Sequence, residues 1–436
     1  MPPKVQDKGS NAAMPPRPSA CVLGVDLGTS SVKAILLEET AQGPTVIASC
    51  SRDTQARVES HAAGPQAKED RENEQDVHKI ITALNDCLAG LPQQLLERVC
   101  RIGVSGQMHG VVFWKMGRGC KWTESGHGWR FEPQEVSHLI TWQDGRCSSH
   151  FLSSLPQPQS HLSVATGFGC ATIYWYLKNS LKESNFPVHF LPEVVQPGEL
   201  AGGTSCTWHR IPKGTEVGAA LGDFQCSVYS CMTGCTDAVL NISTSAQLTV
   251  LMPPGFQPGD SPDPRSPVAY YPYFDNSYLV VAASLNGGNV MATFVDMLVQ
   301  WMAELGLEVP ESDLYPRIIG AALAQTDTGL TICPTVFGER HIPERLASVT
   351  GIAASDLSLG HVTRALCHGV VQNLHSMLSS EHLKEAGVTR ILASGSALGK
   401  NEVMRQEVEK AYPFPVVYGK DVDAAVGAAQ AMLPRK

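Results

Sequence analysis

Residues 24–34 read GVDLGTSSVKA, with an apolar run on each side: Cys21, Val22 and Leu23 before, Ala34 to Leu37 after. Two apolar stretches joined by a short polar turn predict a β-hairpin. The turn also has the chemistry of an anion cradle. Gly28 allows close approach, and the N–H groups of Gly28, Thr29 and Ser30 can converge on a phosphate. Asp26 cannot bind a phosphate directly but can hold a hydrated Mg2+ that does, and Lys33 adds positive charge. A plain hairpin with Asp26 capping its turn fits the same residues. Both readings stand at this point.

Working outward, strands are expected at 21–26, 33–38 and 45–50. A helix follows, with Val77, Ile80, Ile81, Leu84 and Leu88 on one face, stopped by Leu91-Pro92. The next strand, 99–104, runs into SGQMHG (105–110). Hairpin strands, a helix and a further strand make an α/β layer. The second half repeats the theme loosely. Strand 238–242 enters Ser243-Thr244-Ser245, 247–252 is its hairpin partner, 278–283 is a further strand, and 388–393 is a strand entering Ser394-Gly395-Ser396-Ala397. Helices are expected at 289–305, 313–325, 358–379, 401–411 and 422–432, and a long surface loop at 253–267. A strand ending in small or hydroxyl residues in each half hints at duplication.

The bulk numbers narrow the function. At 436 residues the chain exceeds one ordinary core, which predicts two domains. A net charge of −9 argues against a nucleic-acid or membrane-surface binder. No run of 18 apolar residues predicts a membrane helix. The 13 cysteines contain no CxxC pair, and Cys226, Cys231 and Cys235 lack partners for a zinc set. Such usage suits reduced thiols and a cytoplasmic location. Residues 1–20, rich in proline and without an apolar segment, read as a disordered tail.

Three further segments carry chemistry. Asp223, after the strand-like 217–221 and Gly222, is placed either to act as general base toward a hydroxyl or to N-cap a helix. Gln107-Met108-His109 and Trp142-Gln143-Asp144-Gly145-Arg146 mix donors, acceptors and an aromatic face, as sugar sites do. The small residues 393–398 could let a flat ring lie on the backbone, or could simply make a tight turn.

Taken together these segments resemble the FGGY carbohydrate kinases of the actin, Hsp70 and hexokinase superfamily. GVDLGTSSVKA, GQMHG, WQDGR, GDFQ, NISTSAQL, SGSALGKN and DVDAAVGAA occur in the family's order, and the likeness covers 21–433. SGQMHGVVFWK, WQDGRCSS, ATGFGCATI, ASLNGGNV and GERHIP look like the members that act on the seven-carbon ketose sedoheptulose.

The resemblance implies two ribonuclease H-like (actin-like ATPase) domains flanking a cleft. Residues 21–230 would form the sugar and phosphate side, and 231–436 the nucleotide side. It implies ATP and Mg2+ as cofactors and a small-molecule sugar as partner. The product would be sedoheptulose 7-phosphate, feeding the pentose phosphate pathway; another ketose such as xylulose is the alternative. Asp223 would take the proton of the attacking hydroxyl and Asp26 would organise Mg2+. Thr29, Ser30, Ser31 and Lys33, with Thr244 facing them, would surround the β- and γ-phosphates. Gly288, Gly395, Ser396 and Lys400 would meet the nucleotide. Gln107, Met108, His109, Trp142 and Asp144 would face the sugar.

The chain departs from the family most between Lys178 and Phe186, where relatives carry several tens of additional residues and only Asn179 to Asn185 remains, as in a splice form or an incomplete gene model. The loss is expected to uncover apolar surface, at a cost of several kcal/mol, and to weaken sugar binding. A catalytically silent nucleotide-binding form is the corresponding alternative. Two smaller departures are Phe224 beside Asp223 and Ser243 in place of a glycine.

Overall fold

The computed structural model describes residues 20–58, 72–126, 128–156, 158–181, 191–232, 234–419 and 422–433. Residues 1–19 of the expected tail and most of the shortened link lie outside them. The opening stretch forms the expected hairpin: β1 (Cys21–Leu27) pairs antiparallel with β2 (Ser31–Thr40), placing Asp26 across from Lys33. β3 (Gly43–Asp53) extends it. α1 (Val77–Gly90) begins on Asp76, whose carboxylate accepts the His78 N–H, and ends before Pro92. Its Ile80, Leu84 and Leu88 close a core with Leu23, Val25 and Leu36. Burying each such side chain contributes about 1.5–3 kcal/mol.

β4 (Val99–Gly106) lies parallel to β1, so Ser105 stands beside Asp26. Three short strands complete this sheet: β5 (Leu200–Gly203), β6 (Glu216–Gly218) and β7 (Leu221–Gly222). The order is β3-β2-β1-β4-β6-β5, with β7 also on β4. α2 (Asp223–Cys231) starts where β7 ends.

The second sheet follows the same plan. β8 (Asp237–Ile242) and β9 (Ala246–Leu251) form a hairpin, extended by β10 (Val268–Pro272) and β11 (Tyr278–Ser284). α3 (Gly288–Glu304) and α4 (Leu359–Met377) pack with this sheet around Leu240, Leu248, Val370 and Leu374. β12 (Arg390–Ser394) runs parallel to β8 and leads into α5 (Ser396–Lys400); β13 (Val416–Tyr418) is parallel to β12. The order β10-β11-β9-β8-β12-β13 again sets a hairpin beside a parallel strand. The hint of duplication is thus a repeated topology.

The last helix, α6 (Ala424–Ala431), crosses back onto the first sheet, where Ala425 and Ala429 pack on Val22, Ile35 and Leu37. Two glycines permit this. A Cβ at Gly24 would lie 2.0 Å from the Ala425 carbonyl oxygen, and one at Gly103 2.0 Å from that of Ala428. Val228 and Cys231 of α2 pack instead on Val239, Leu279 and Val281 of the second sheet. The α2–α6 pair therefore lies between the two sheets.

A hairpin at Cys120–Ser125 and Gly128–Pro133, which the sequence did not suggest, carries half-exposed tryptophans, Trp122 and Trp129. Beyond the shortened link, Leu191, Val194 and Leu200 are exposed, Val194 almost fully.

Candidate active site

Parallel strands present their C-terminal ends together, and here those ends carry the acids. Asp26 ends β1, Ser105 neighbours it on β4, and Gly222 pairs with Gly106 so that Asp223 begins α2 next in line. The Ser105 hydroxyl donates to Asp26 Oδ1 at 3.0 Å. Burial raises the Asp26 carboxyl to about 6; the Ser105 bond and Lys33 oppose this, while Asp223 and Asp423 add to it. Burial also raises Asp223, against the Phe224 N–H that donates to its Oδ1 at 2.7 Å. Asp223 thus sits at a helix N-terminus, where its own N–H and that of Phe224 both stabilise its carboxylate.

The turn of the first hairpin differs in one respect from expectation. The Gly28 N–H donates to the Ser31 carbonyl at 3.0 Å, so it closes the turn instead of facing a ligand. Ser30 is exposed, and its carbonyl accepts the Thr54 N–H and hydroxyl. Thr29 is tied from two sides: its carbonyl accepts Gln75 Nε2 at 2.6 Å and its hydroxyl accepts Trp142 Nε1 at 3.1 Å. Lys33 forms an ion pair with Asp423 at 2.5 Å.

Gln107 follows β4 and donates to Gln75 Oε1 at 3.0 Å, while its own Oε1 is buried without a partner. Gln225 Oε1, in the first turn of α2, is likewise buried and unpartnered. Met108 packs over Gly222, where a Cβ would meet its sulfur at 2.8 Å. His109 adopts a left-handed backbone (φ 63°) and stacks on Phe168 at 4.3 Å; burial lowers its imidazole pKa.

Asp144 is a correction. Its side chain has no exposed surface, and both oxygens are bonded to Arg146, with the Asn73 N–H added at 2.9 Å. It cannot face a sugar in this arrangement. It orders the loop that carries Trp142, with Arg146 reaching on to Glu74 and lying over the Trp175 ring.

On the second sheet, three loops converge. Thr244 lies exposed in the β8–β9 turn. The carbonyls of Ser243 and Thr244 accept the N–H groups of Gly288 and Asn289 at the start of α3. The Gly288 N–H is therefore occupied internally. Ser243 also accepts the Ser396 N–H at 3.3 Å, which gives this departure from glycine a bonding role. Gly395 (φ 110°) has its α-carbon so near Ile242 that a Cβ would lie 2.2 Å from that carbonyl oxygen. Lys400 is exposed at the end of α5.

Residues 21–119 match the FGGY family of carbohydrate kinases, N-terminal domain. Sedoheptulokinase of Mus musculus is 58% identical over 467 positions, covering 95% of this chain and 97% of that protein. Sedoheptulokinase of Homo sapiens is 58% identical over 469 positions, with the same coverage. The chain belongs to the FGGY family of carbohydrate kinases. It is a sugar kinase, and kinases of this family use ATP. Its two sheets are those of the two-domain actin-like ATPase fold. Xylulose kinase from Rhodospirillum rubrum superposes with a TM-score of 0.71 at 17% identity, covering 94% of this chain and 89% of that one. Plasmodium falciparum glycerol kinase superposes with a TM-score of 0.68 at 15% identity, over 95% and 89%.

The 467 aligned positions exceed the 436 residues of this FGGY chain, so the mouse relative carries tens of residues without a counterpart here. Sequence reasoning passed over several residues that now stand at the site: Gln75, Ser105, Gln225 and Asp423. Gln225 lay within GDFQ and Asp423 within DVDAAVGAA, so the motifs located them without giving them a task. Glu339 of GERHIP is buried, holding Ser284, Asn286 and Asn373 beneath the start of α3. No helix among the described residues is long and apolar enough to cross a membrane.

Proposed function

We propose that this chain transfers the γ-phosphoryl group of Mg-ATP to sedoheptulose, with Asp223 as general base. The observation that carries this reading is the placement of Asp223 beside β4 from Asp26, at the shared end of parallel strands. The 58% identity to two sedoheptulokinases over nearly their whole length supports the choice of sugar. Burial raises the Asp223 carboxyl and so makes it a stronger base, which suits removal of a sugar hydroxyl's proton.

The residues fit the cofactor. Among the described residues no cluster of three His, Cys, Asp or Glu side chains could cage a metal by itself. Mg2+ in phosphoryl transfer needs no such cage, since it keeps waters and phosphate oxygens as ligands. Asp26, with the like charges of Asp223 and Asp423 acting on it, is a carboxylate that a cation would relieve. Bound Mg-ATP supplies the phosphoryl group and neutralises its charge. Thr29, Ser30, Ser31 and Lys33 then line one side and Thr244 the other, with Gly288, Gly395, Ser396 and Lys400 toward the nucleoside. Gly288 contributes by its missing side chain, its N–H being in use.

Gln107, Met108, His109 and Trp142 face the sugar. The unpartnered oxygens of Gln107 and Gln225 are acceptors that hydroxyl groups would satisfy. The thirteen cysteines, none in a disulfide, suit a reducing cytoplasm. Domain limits near 230, with α6 returned to the first sheet, complete the proposal. The test is product identity: incubation with Mg-ATP and either sedoheptulose or xylulose, followed by mass spectrometry of the sugar. Phosphorylation of sedoheptulose in preference supports the reading; phosphorylation of xylulose alone would replace it.

A further inference from the structure

Lys33 stands across the hairpin from Asp26, yet its ammonium is bound by a different acid, Asp423. The two partners are unequal. Asp423 is fixed: its Oδ1 accepts the N–H groups of Ala425 and Val426, and its own N–H donates to Ser230 Oγ at 3.0 Å. Only 11% of its side chain is exposed, against 38% for Lys33. Lys33 has a flexible four-carbon stem, and the Asp423 bond is its only contact of this kind among the described residues. In any exchange, the lysine is the partner that moves.

We propose that Asp423 is a positioning residue that competes with nucleotide phosphate for Lys33. It holds the ammonium while the phosphate loop is empty, yields it when nucleotide binds, and recovers it as ADP leaves. The inference rests on reading 24–34 as the phosphate loop. It ties the C-terminal helix to nucleotide affinity, because the carboxylate that caps α6 also sets how readily Lys33 is available.

Asp423→Asn separates competition from capping. The amide oxygen can still cap α6, but the charge that holds Lys33 is gone. Competition predicts tighter ADP and ATP binding, by about threefold to tenfold, as expected for release of one partly screened ion pair. The KM for sugar stays unchanged. Asp423→Glu restores the charge and returns affinity toward the parent value. A merely structural role predicts the reverse sign, with weaker nucleotide binding as the start of α6 loosens.

The experiment is calorimetric titration of ADP into the full chain carrying Asp423→Asn, Asp423→Glu, Lys33→Met, or Lys33→Met with Asp423→Asn. The expected result is tighter binding for the first, near-parent for the second and weaker for the third. In the fourth, the Asp423 substitution should have little further effect, because its partner is absent. Unchanged or weaker binding in Asp423→Asn, with Lys33→Met impaired, overturns the competition alone. Unchanged binding in Lys33→Met overturns both the competition and the phosphate-loop reading for Lys33.

Discussion

The indole Nε1 of Trp142 donates to the hydroxyl of Thr29 at 3.1 Å. This joins the WQDGR loop to the first hairpin turn, and Gln75 bridges the same turn to Gln107. The groups assigned to sugar and to phosphate are therefore one bonded network. Trp142→Phe keeps a ring and removes the N–H. It is expected to raise the KM for both sugar and ATP, by about threefold to tenfold, the worth of one hydrogen bond. Steady-state kinetics with each substrate varied would check this. A change in the sugar KM alone would mean that the network does not couple the two sites.

Asp223→Asn should lower kcat by about a hundredfold to ten-thousandfold while leaving ADP affinity near the parent value, as removal of a general base does. Parallel kinetics and calorimetry separate the two effects. Loss of nucleotide binding would assign Asp223 a structural role at the start of α2.

The raised Asp26 carboxyl has a stability consequence in the nucleotide-free chain. Its ordinary value is 3.8 and its folded value about 6, so the folded state binds more protons between them. Stability from this group accordingly falls as pH rises from about 4 to about 6, and the penalty is complete above that range. Asp26→Asn removes the charge and should gain on the parent across this window, reaching about 3 kcal/mol at pH 7.5. Urea unfolding at several pH values measures the difference. A gap that does not change with pH would contradict a buried, charge-crowded Asp26.

Much of this could be read from the chain itself. The first hairpin, α1, β4 and the main helices have strong periodicity, and the motifs mark the strand ends where Asp26, Asp223 and Thr244 sit. What could not be read depends on contacts between distant segments. Asp144 looked like a sugar ligand because an acid beside Trp142 fits one, but only folding brings Arg146 and Asn73 onto its oxygens. The two-residue β7 is too short for any period, yet it aligns Asp223 with Ser105. Asp423 is separated from Lys33 by nearly the whole chain. No local pattern announces that pair.

The return of α6 to the first sheet depends on bare backbone at Gly103. Gly103→Ala should destabilise the chain by about 3 kcal/mol or more, because backbone on both sides must shift. Gly399→Ala, where nothing lies within 4 Å of the added carbon, is the control and should be nearly neutral. Denaturation of both variants decides it. Equal stability would mean that α6 does not approach β4 so closely.

On the function proposed above, this chain is a sedoheptulose-directed kinase although it lacks tens of residues found in its relatives. The most direct measurement is ADP release by the purified 436-residue protein with Mg-ATP, with and without sedoheptulose. Release is expected to depend on the sugar and to saturate with it. Soluble protein that binds ATP but releases no ADP when sedoheptulose is added would contradict it.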